Sequence, residues 1–220
     1  MSRAIYWFRN DLRVEDNEGL KLAVDRFDEV IPLYVLDQEL LNGTQFGIER
    51  MGAHRLKFLL EALQDLKLKL QALGSDLLFR MGDPIEIIDS LKKEYNCHGL
   101  IAQKASAHEE SELEEKVSRK IEAEFIWGET LFHISDLRFH LQDLPEVFTE
   151  FRKIVEKKSS VRREIEAPLF INSPEAFGTT IPTMEVLGFE EPEADERAVL
   201  QFKGGATAGL ERLQYYLWDK

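Results

Sequence analysis

The stretch AIYWFRNDLRVEDN, residues 4–17, joins a short apolar run directly to a charged turn. Residues 4–8 are aromatic, aliphatic or β-branched, which is typical of a strand that is buried in a parallel sheet. Residues 9–17 then gather arginines, acids and asparagines around Leu12 and Val14. Because open α/β sheets bind ligands at the carboxyl ends of their strands, we expect this turn to contribute to a binding site.

Strand and helix patterns alternate after this stretch, which predicts a doubly wound α/β fold with a five-stranded parallel sheet. Pro32, inside the second strand, indicates that the start of that strand is not paired on both sides. Gly74 follows a leucine-rich helical pattern at residues 56–73 and is predicted to end that helix. Asp83 is predicted to cap the next helix, which would begin at Pro84. The further strands are predicted at residues 30–36, 76–80, 100–102 and 125–127, and the clearest helices at 56–73 and 109–121.

The pattern changes beyond Trp127. Residues 148–158 predict one amphipathic helix, and residues 167–192 are rich in proline and read as a long extended linker. A last helix begins near Ala206 and is still running at Lys220 without a stop signal. We therefore expect the natural protein to continue beyond this chain.

The composition of the chain argues against several classes of function. The net charge of −13 makes the chain a poor candidate for binding nucleic acid by itself, because phosphate contacts need an excess of lysine and arginine. No apolar run approaches the ~20 residues of a membrane span, so we expect no membrane partner. The single cysteine, Cys97, excludes an internal disulfide and favours a reducing, cytoplasmic location.

No catalytic motif accompanies the sheet pattern. The sequence has no phosphate loop, no GxGxxG after a strand and no nucleophile elbow, and its histidines lack zinc-site spacing. Arg9 and Arg13, with the start of the next helix, could hold an anionic ligand, or they could tie the turn together through Arg–Asp pairs. Asp37 and Asp83 follow neighbouring strands, where they could bind a ligand or act only as turn former and cap. These residues predict a site for a nucleotide- or pterin-sized ligand.

Five segments, spread in order along the chain, resemble the photolyase/cryptochrome family. The segment LPEVFTEFRK, residues 144–153, is similar to the DASH branch in particular. The other segments are FRNDLRVEDNEGL (8–20), PLYVLD (32–37), GDP (82–84) and FKGGA (202–206).

The resemblance implies a Rossmann-like antenna-chromophore domain at residues 1–130, then a helix and extended linker at 131–200. Residues 201–220 would be the first helix of an FAD-binding helical domain that is otherwise absent. The parent protein would repair pyrimidine dimers with blue light, and DNA would be contacted only through the missing domain. We expect no repair activity from this chain alone.

The usual antenna of the DASH branch is methenyltetrahydrofolate, held near the groove between the domains. The branch commonly has an acid that meets the pterin at the position of Ala105. Glu109 or Glu110 could replace that acid, another chromophore could bind, or the antenna could be missing. Relatives with a deazaflavin or flavin antenna hold it deeper in the domain. The candidate cofactor-binding residues are Phe8, Arg9, Asn10, Asp11, Asp37, Arg55, Lys104 and Glu109.

Two other functions remain possible on these residues. One is a stand-alone nucleotide-binding α/β enzyme, which would need a catalytic pair that the sequence does not show. The other is an interaction module that holds no chromophore.

Overall fold

The structure, a computed structural model, describes residues 1–42, 47–193, 197 and 202–219. Strands and helices alternate as far as residue 126, and helices joined by extended segments follow. The elements are β1 (Arg3–Phe8), α1 (Glu18–Arg26), β2 (Glu29–Leu36), α2 (Ala53–Ala72), β3 (Leu78–Met81), α3 (Pro84–Glu94), β4 (Gly99–Gln103), α4 (His108–Ser118), β5 (Ala123–Ile126), α5 (Phe148–Lys158) and α6 (Ala206–Gln214).

The five strands form one parallel sheet in the order β3-β2-β1-β4-β5. The chain runs outward from β1 to β3 and then returns to the other side of β1 for β4 and β5. The predicted doubly wound α/β fold is therefore confirmed. The order reverses between β1 and β4, which is where such sheets form their ligand crevice.

Alternation along β1 divides the core between the two faces of the sheet. Tyr6 and Phe8 belong to a cluster with the apolar faces of α1 and α2. Ile5 and Trp7 belong to a second cluster with α3 and α4. This double burial explains why the strand sequences are apolar at consecutive positions.

The beginning of β2 pairs on one side only, as Pro32 predicts. Residues 29–34 pair with β1, whereas only residues 33–36 pair with β3. The open side is filled by the later chain: Val30 donates its backbone N–H to the carbonyl of Asn172 at 2.8 Å, and the Ser173 hydroxyl donates to the Val30 carbonyl at 2.7 Å.

The end of α2 has the geometry that Gly74 predicts. Gly74 has a φ of +82°, and the N–H groups of Gly74 and Ser75 donate to the carbonyls of Gln71 and Leu70. This pair of bonds satisfies the last carbonyls of the helix, and it needs a left-handed residue that glycine adopts without strain.

The extended segment at residues 165–184 returns along the sheet domain. Ile171, Ile181 and Met184 are buried in the α1–α2 cluster. The Thr179 hydroxyl accepts from the Phe79 N–H and donates to the Leu77 carbonyl, so the segment also lines the outer edge of β3.

The segment before α6 lies against α2. The Gly204 N–H donates to a Glu61 carboxylate oxygen at 2.7 Å, and the Thr207 N–H donates to Asp65 at 3.0 Å. A Cβ on Gly204 would lie 2.0 Å from the carbonyl oxygen of Phe58, so this approach requires glycine.

Candidate functional site

The carboxyl ends of β1 and β4 form a crevice at the switch point of the sheet. The chain leaves β1 toward α1 on one face and leaves β4 toward α4 on the opposite face. Arg9 follows β1, and Lys104 and Ala105 follow β4, so the sequence-predicted residues reach this crevice from both strands.

Arg9 and Lys104 meet on a buried carboxylate from α4, that of Glu114. The Arg9 guanidinium Nη1 lies 2.6 Å from Oε1 of Glu114, and the Lys104 ammonium lies 2.8 Å from Oε2. The Ala105 backbone N–H donates to the same Oε1 at 2.7 Å. Arg9 also donates to the carbonyl of Gln103 at 3.1 Å and lies over the Trp7 ring, 5.0 Å from its centroid.

This cluster holds Glu114 ionised inside the protein. Burial by itself raises the pKa of the Glu114 carboxyl, but hydrogen bonds from Lys104, Ala105 and Arg9 outweigh burial and bring the net pKa below its ordinary value. Both carboxylate oxygens are engaged. The cluster therefore bridges β1, β4 and α4 on this side of the crevice and leaves Glu114 no oxygen for a ligand.

Asp11 forms a second buried cluster on the opposite face. Its carboxylate accepts hydrogen bonds from the Tyr6 hydroxyl, from Asn17 Nδ2 at 3.1 Å and from the Arg9 N–H at 2.9 Å. Burial raises the pKa of Tyr6 well above its ordinary value, and the Asp11 charge raises it further. Asn17 also caps α1, since its side-chain oxygen accepts from the Leu20 N–H. The cluster fixes the turn between β1 and α1.

Charged residues from the segment before α2, from α2 and from the first turn of α4 lie together at the carboxyl edge of the sheet and form a charged rim. The Arg50 guanidinium lies 3.5 Å from the Glu109 carboxylate, and Arg55 donates to the Arg50 carbonyl at 3.3 Å. Burial raises the pKa of Tyr34, at the end of β2, to about 12, and the positive charge of Arg55 acts in the opposite direction. The predicted residues Arg55 and Glu109 are thus brought together through Arg50.

Three other predicted residues lie apart from these clusters. Phe8 is fully buried in the core, where its ring meets that of Tyr6 edge to face at 4.7 Å. Asn10 is exposed at the turn. Asp37 accepts from the Glu39 N–H at 2.9 Å and caps a short helical turn. In the same way Asp83 caps α3 through the Ile85 N–H.

Glu114, Gln103 and Arg50 are polar residues at this edge that sequence reasoning missed. Glu114 precedes Val117 by three residues, so helical spacing places it on the buried face of α4. A carboxylate on such a face signals a buried ion pair. Gln103 ends an otherwise apolar strand, which is the position where the fold directs side chains toward ligands.

Histidine, cysteine and acidic residues form no metal-binding group in the part of the chain that the structure describes. Burial raises the pKa of the Cys97 thiol to about 11, so this cysteine is not an activated nucleophile. No helix within the described ranges is long and apolar enough to cross a membrane.

Comparison with known proteins identifies the family. The family model described as DNA photolyase matches residues 4–170. The chain belongs to the DNA photolyase family. It is 40% identical to the cryptochrome DASH of Gloeobacter violaceus over 98% of this chain and 44% of that protein. It is also 40% identical to the Arabidopsis thaliana cryptochrome DASH, named as chloroplastic/mitochondrial, over 98% of this chain and 39% of that protein.

Solved structures agree with this assignment to the photolyase family. The Synechocystis cryptochrome superimposes with a TM-score of 0.92 at 36% identity, over 100% of this chain and 47% of that one. An archaeal photolyase from Sulfolobus tokodaii, solved with two FAD molecules, shares the fold with a TM-score of 0.70 at 23% identity, over 96% of this chain and 46% of that one. The resemblance to the N-terminal domain of the DASH branch is confirmed. The chain spans about half the length of the curated relatives it matches.

Proposed function

We propose that this chain is the antenna-chromophore domain of a DASH-type cryptochrome/photolyase. In this proposal residues 1–130 bind a pterin or flavin-like chromophore at the crevice between β1 and β4. Excitation then passes to FAD in a C-terminal domain for light-driven repair of pyrimidine dimers. The observation that carries the proposal is the charged rim of Arg50, Arg55 and Glu109 at the switch point of a sheet from this family.

Glu109 is the acid that suits a pterin best. Ala105 offers no carboxylate, and both oxygens of Glu114 are engaged by protein donors. The Glu109 side chain is 81% exposed and has Arg50 as a partner at 3.5 Å, a distance that a ligand could open at little cost. A carboxylate can accept two N–H bonds from the amino-lactam edge of a pterin.

Arg50 and Arg55 would bind the anionic part of the chromophore. If the pterin took Glu109, Arg50 would be released to pair with a carboxylate or phosphate of the ligand. Arg55 forms no ion pair with any described residue, and it already places positive charge beside Tyr34. The bound chromophore would supply absorption of near-ultraviolet and blue light; the chain supplies binding and orientation.

A flavin is the alternative chromophore. The Sulfolobus tokodaii photolyase, which shares this fold, was solved with two FAD molecules. On this chain the Tyr34 and Phe79 rings, on paired residues of β2 and β3, are stacked with centroids 6.2 Å apart, and the charge of Arg55 acts on Tyr34. Aromatic side chains next to a guanidinium suit an isoalloxazine ring that carries a phosphate.

The C-terminal FAD domain is proposed as the main protein partner. Beyond α6, the exposed side chains of Leu217 and Trp218 form apolar surface that in a soluble protein marks a contact region. DNA would be contacted through that domain, because this chain carries a net charge of −13. A cytoplasmic location is proposed from the single, buried cysteine.

The test is an absorbance titration of the chain with methenyltetrahydrofolate, a deazaflavin and FMN. We expect saturable binding of one of them with a shifted absorption band. Glu109→Gln is expected to weaken pterin binding by about tenfold, because a charge-assisted bond becomes a neutral one. Glu115→Gln on the outer face of α4 is the matched control and should leave the affinity unchanged. Absence of saturable binding for all three chromophores would contradict the proposal.

A further inference from the structure

A cleft of about 260 Å³ lies on the α1 face of the sheet, beside the amino end of α1. Its walls are the turn before α1, the carboxyl ends of β4 and β5, residues 127–133 and the returning segment 161–165. Hydrogen bonds in both directions between Asp16 and Ile165 hold that segment in place. Asp11 and Arg13 line this cleft, whereas Arg9, Lys104 and Glu114 do not, so the cleft is distinct from the cluster around Glu114.

The floor of the cleft contains a buried amide without a partner. Gln103, the last residue of β4, is 8% exposed and lines the cleft. Its backbone carbonyl accepts from Arg9, but its side-chain amide has no hydrogen-bond partner among the described residues. Gly128 approaches this amide so closely that a Cβ would lie 3.1 Å from Nε2. Its adjacent donor and acceptor are therefore open to a ligand with a complementary edge.

An aromatic ring lines the same cleft. The Trp127 indole N–H donates to the Thr130 hydroxyl at 2.8 Å, which fixes the orientation of the ring. Indole rings stack on planar heterocycles, and such stacking tolerates any base. The cleft therefore combines a stacking surface with a hydrogen-bonding amide.

The charges that remain available in the cleft are positive. The carboxylates of its walls are engaged: Asp11 with Tyr6 and Asn17, Asp16 with the Ile165 N–H, and Glu18 with Arg162 at 3.8 Å. Two guanidinium groups, those of Arg13 and Arg163, have no carboxylate partner within the described ranges. The amino end of α1 adds a positive partial charge. An anionic group is thus favoured at this end of the cleft.

We propose that this cleft binds a nucleoside monophosphate. Gln103 pairs with neighbouring donor and acceptor groups on the base, Trp127 stacks on it, and Arg13 and Arg163 hold the phosphate. The volume lies just below the ~300–1,000 Å³ that is common for ligand pockets, which suits a ligand of mononucleotide size. The cleft shares no lining residue with Arg50, Arg55 and Glu109, so each site can be tested with its own variants.

The test is titration calorimetry of the full chain with AMP, GMP and UMP, with the corresponding nucleosides and with inorganic phosphate. We expect saturable binding of at least one nucleotide, tighter than its nucleoside and tighter than phosphate. Gln103→Leu should weaken it at least tenfold, and Arg163→Gln should weaken the nucleotide severalfold while leaving the nucleoside unchanged. Arg119→Gln, an exposed cation of α4 outside the cleft, is the matched control.

Several results would overturn this proposal. They are no saturable binding of any nucleotide at millimolar concentration, equal affinity for phosphate alone, or unchanged affinity in Gln103→Leu. Circular dichroism checks that each variant is folded. If Gln103→Leu does not fold, the exposed Arg163→Gln variant decides, and an unchanged nucleotide affinity there counts against the site.

Discussion

Glu114 shows how one buried carboxylate can organise the switch point of the sheet. Its side chain is 4% exposed and binds Arg9, Lys104 and the Ala105 N–H. The side chain of Arg9 is only 10% exposed, so each buried charge is stabilised mainly by the other and not by water. The pair ties α4 to the end of β1, and with it the two halves of the doubly wound sheet.

We predict that Glu114→Gln lowers the free energy of unfolding by about 3 kcal/mol, because Arg9 would remain buried with an uncompensated charge. Urea denaturation followed by circular dichroism measures this. Glu115→Gln, the exposed neighbour, should change stability by less than about 0.5 kcal/mol. Equal stabilities of the two variants would show that the cluster is not important for folding.

The lowered pKa of Glu114 predicts that the folded protein loses part of its stability in acid. The pKa of Glu114 is lowered in the folded state, so its contribution is present above the unfolded-state pKa of about 4.3 and is lost as the pH falls through the lower folded value. Stability of the wild type should therefore fall more steeply below pH 4.5 than that of Glu114→Gln. Parallel pH profiles for the two proteins would contradict the assignment.

At the scale of elements, α1 depends on its first turn. Asn17 caps the helix through the Leu20 N–H and also donates to the buried Asp11 carboxylate. We predict that Asn17→Ala costs about 2 kcal/mol, because a cap and a buried hydrogen bond are lost together. Asp83→Ala, which removes an exposed cap of α3, should cost about 1 kcal/mol. Thermal denaturation of both variants compares their losses of stability. A loss in Asn17→Ala that is equal to or smaller than that in Asp83→Ala would refute the prediction.

The contact between α2 and the start of α6 depends on Gly204. We predict that Gly204→Ala displaces residues 202–205 from α2, since the new methyl would meet the Phe58 carbonyl at 2.0 Å. Hydrogen exchange of the Gly204 and Thr207 amides should become faster. Gly209→Ala is the control: it has open space around it within α6 and should stabilise the helix by about 0.5–1 kcal/mol. Unchanged exchange in Gly204→Ala would disprove the tight contact.

The regular elements could be predicted because their signals are local. Pro32 indicated a one-sided start of β2, Gly74 marked the end of α2, and Asp83 marked the start of α3. The return of residues 165–184 into the core could not be predicted, because an extended segment has no period. Its buried residues, such as Ile171 and Met184, are isolated apolar positions in the sequence.

The candidate site was predictable only in its position. The strand ends indicated an edge of the sheet, but not which charges pair there. Arg9 was expected either to hold an anionic ligand or to pair with an acid of its own turn, and its partner is Glu114 on α4, which it shares with Lys104. Pairing between separate elements depends on the packed geometry, which a single sequence does not reveal.

For the molecule as a whole, two separate groups of residues are proposed as binding sites. The crevice of Arg50, Arg55 and Glu109 is proposed for the antenna chromophore, and the cleft of Gln103 and Trp127 is proposed for a nucleotide. Membership of the DNA photolyase family supports the first proposal, while the second rests on the chemistry of the cleft.

The most direct test is to map the bound chromophore by NMR. The backbone amides of the isotope-labelled chain would be followed while methenyltetrahydrofolate or FMN is added to saturation. We predict large shifts at Arg50, Arg55 and Glu109, and small shifts in α3. Saturable shifts confined to other regions, or no saturable shift with either compound, would contradict an antenna site at the switch point of the sheet.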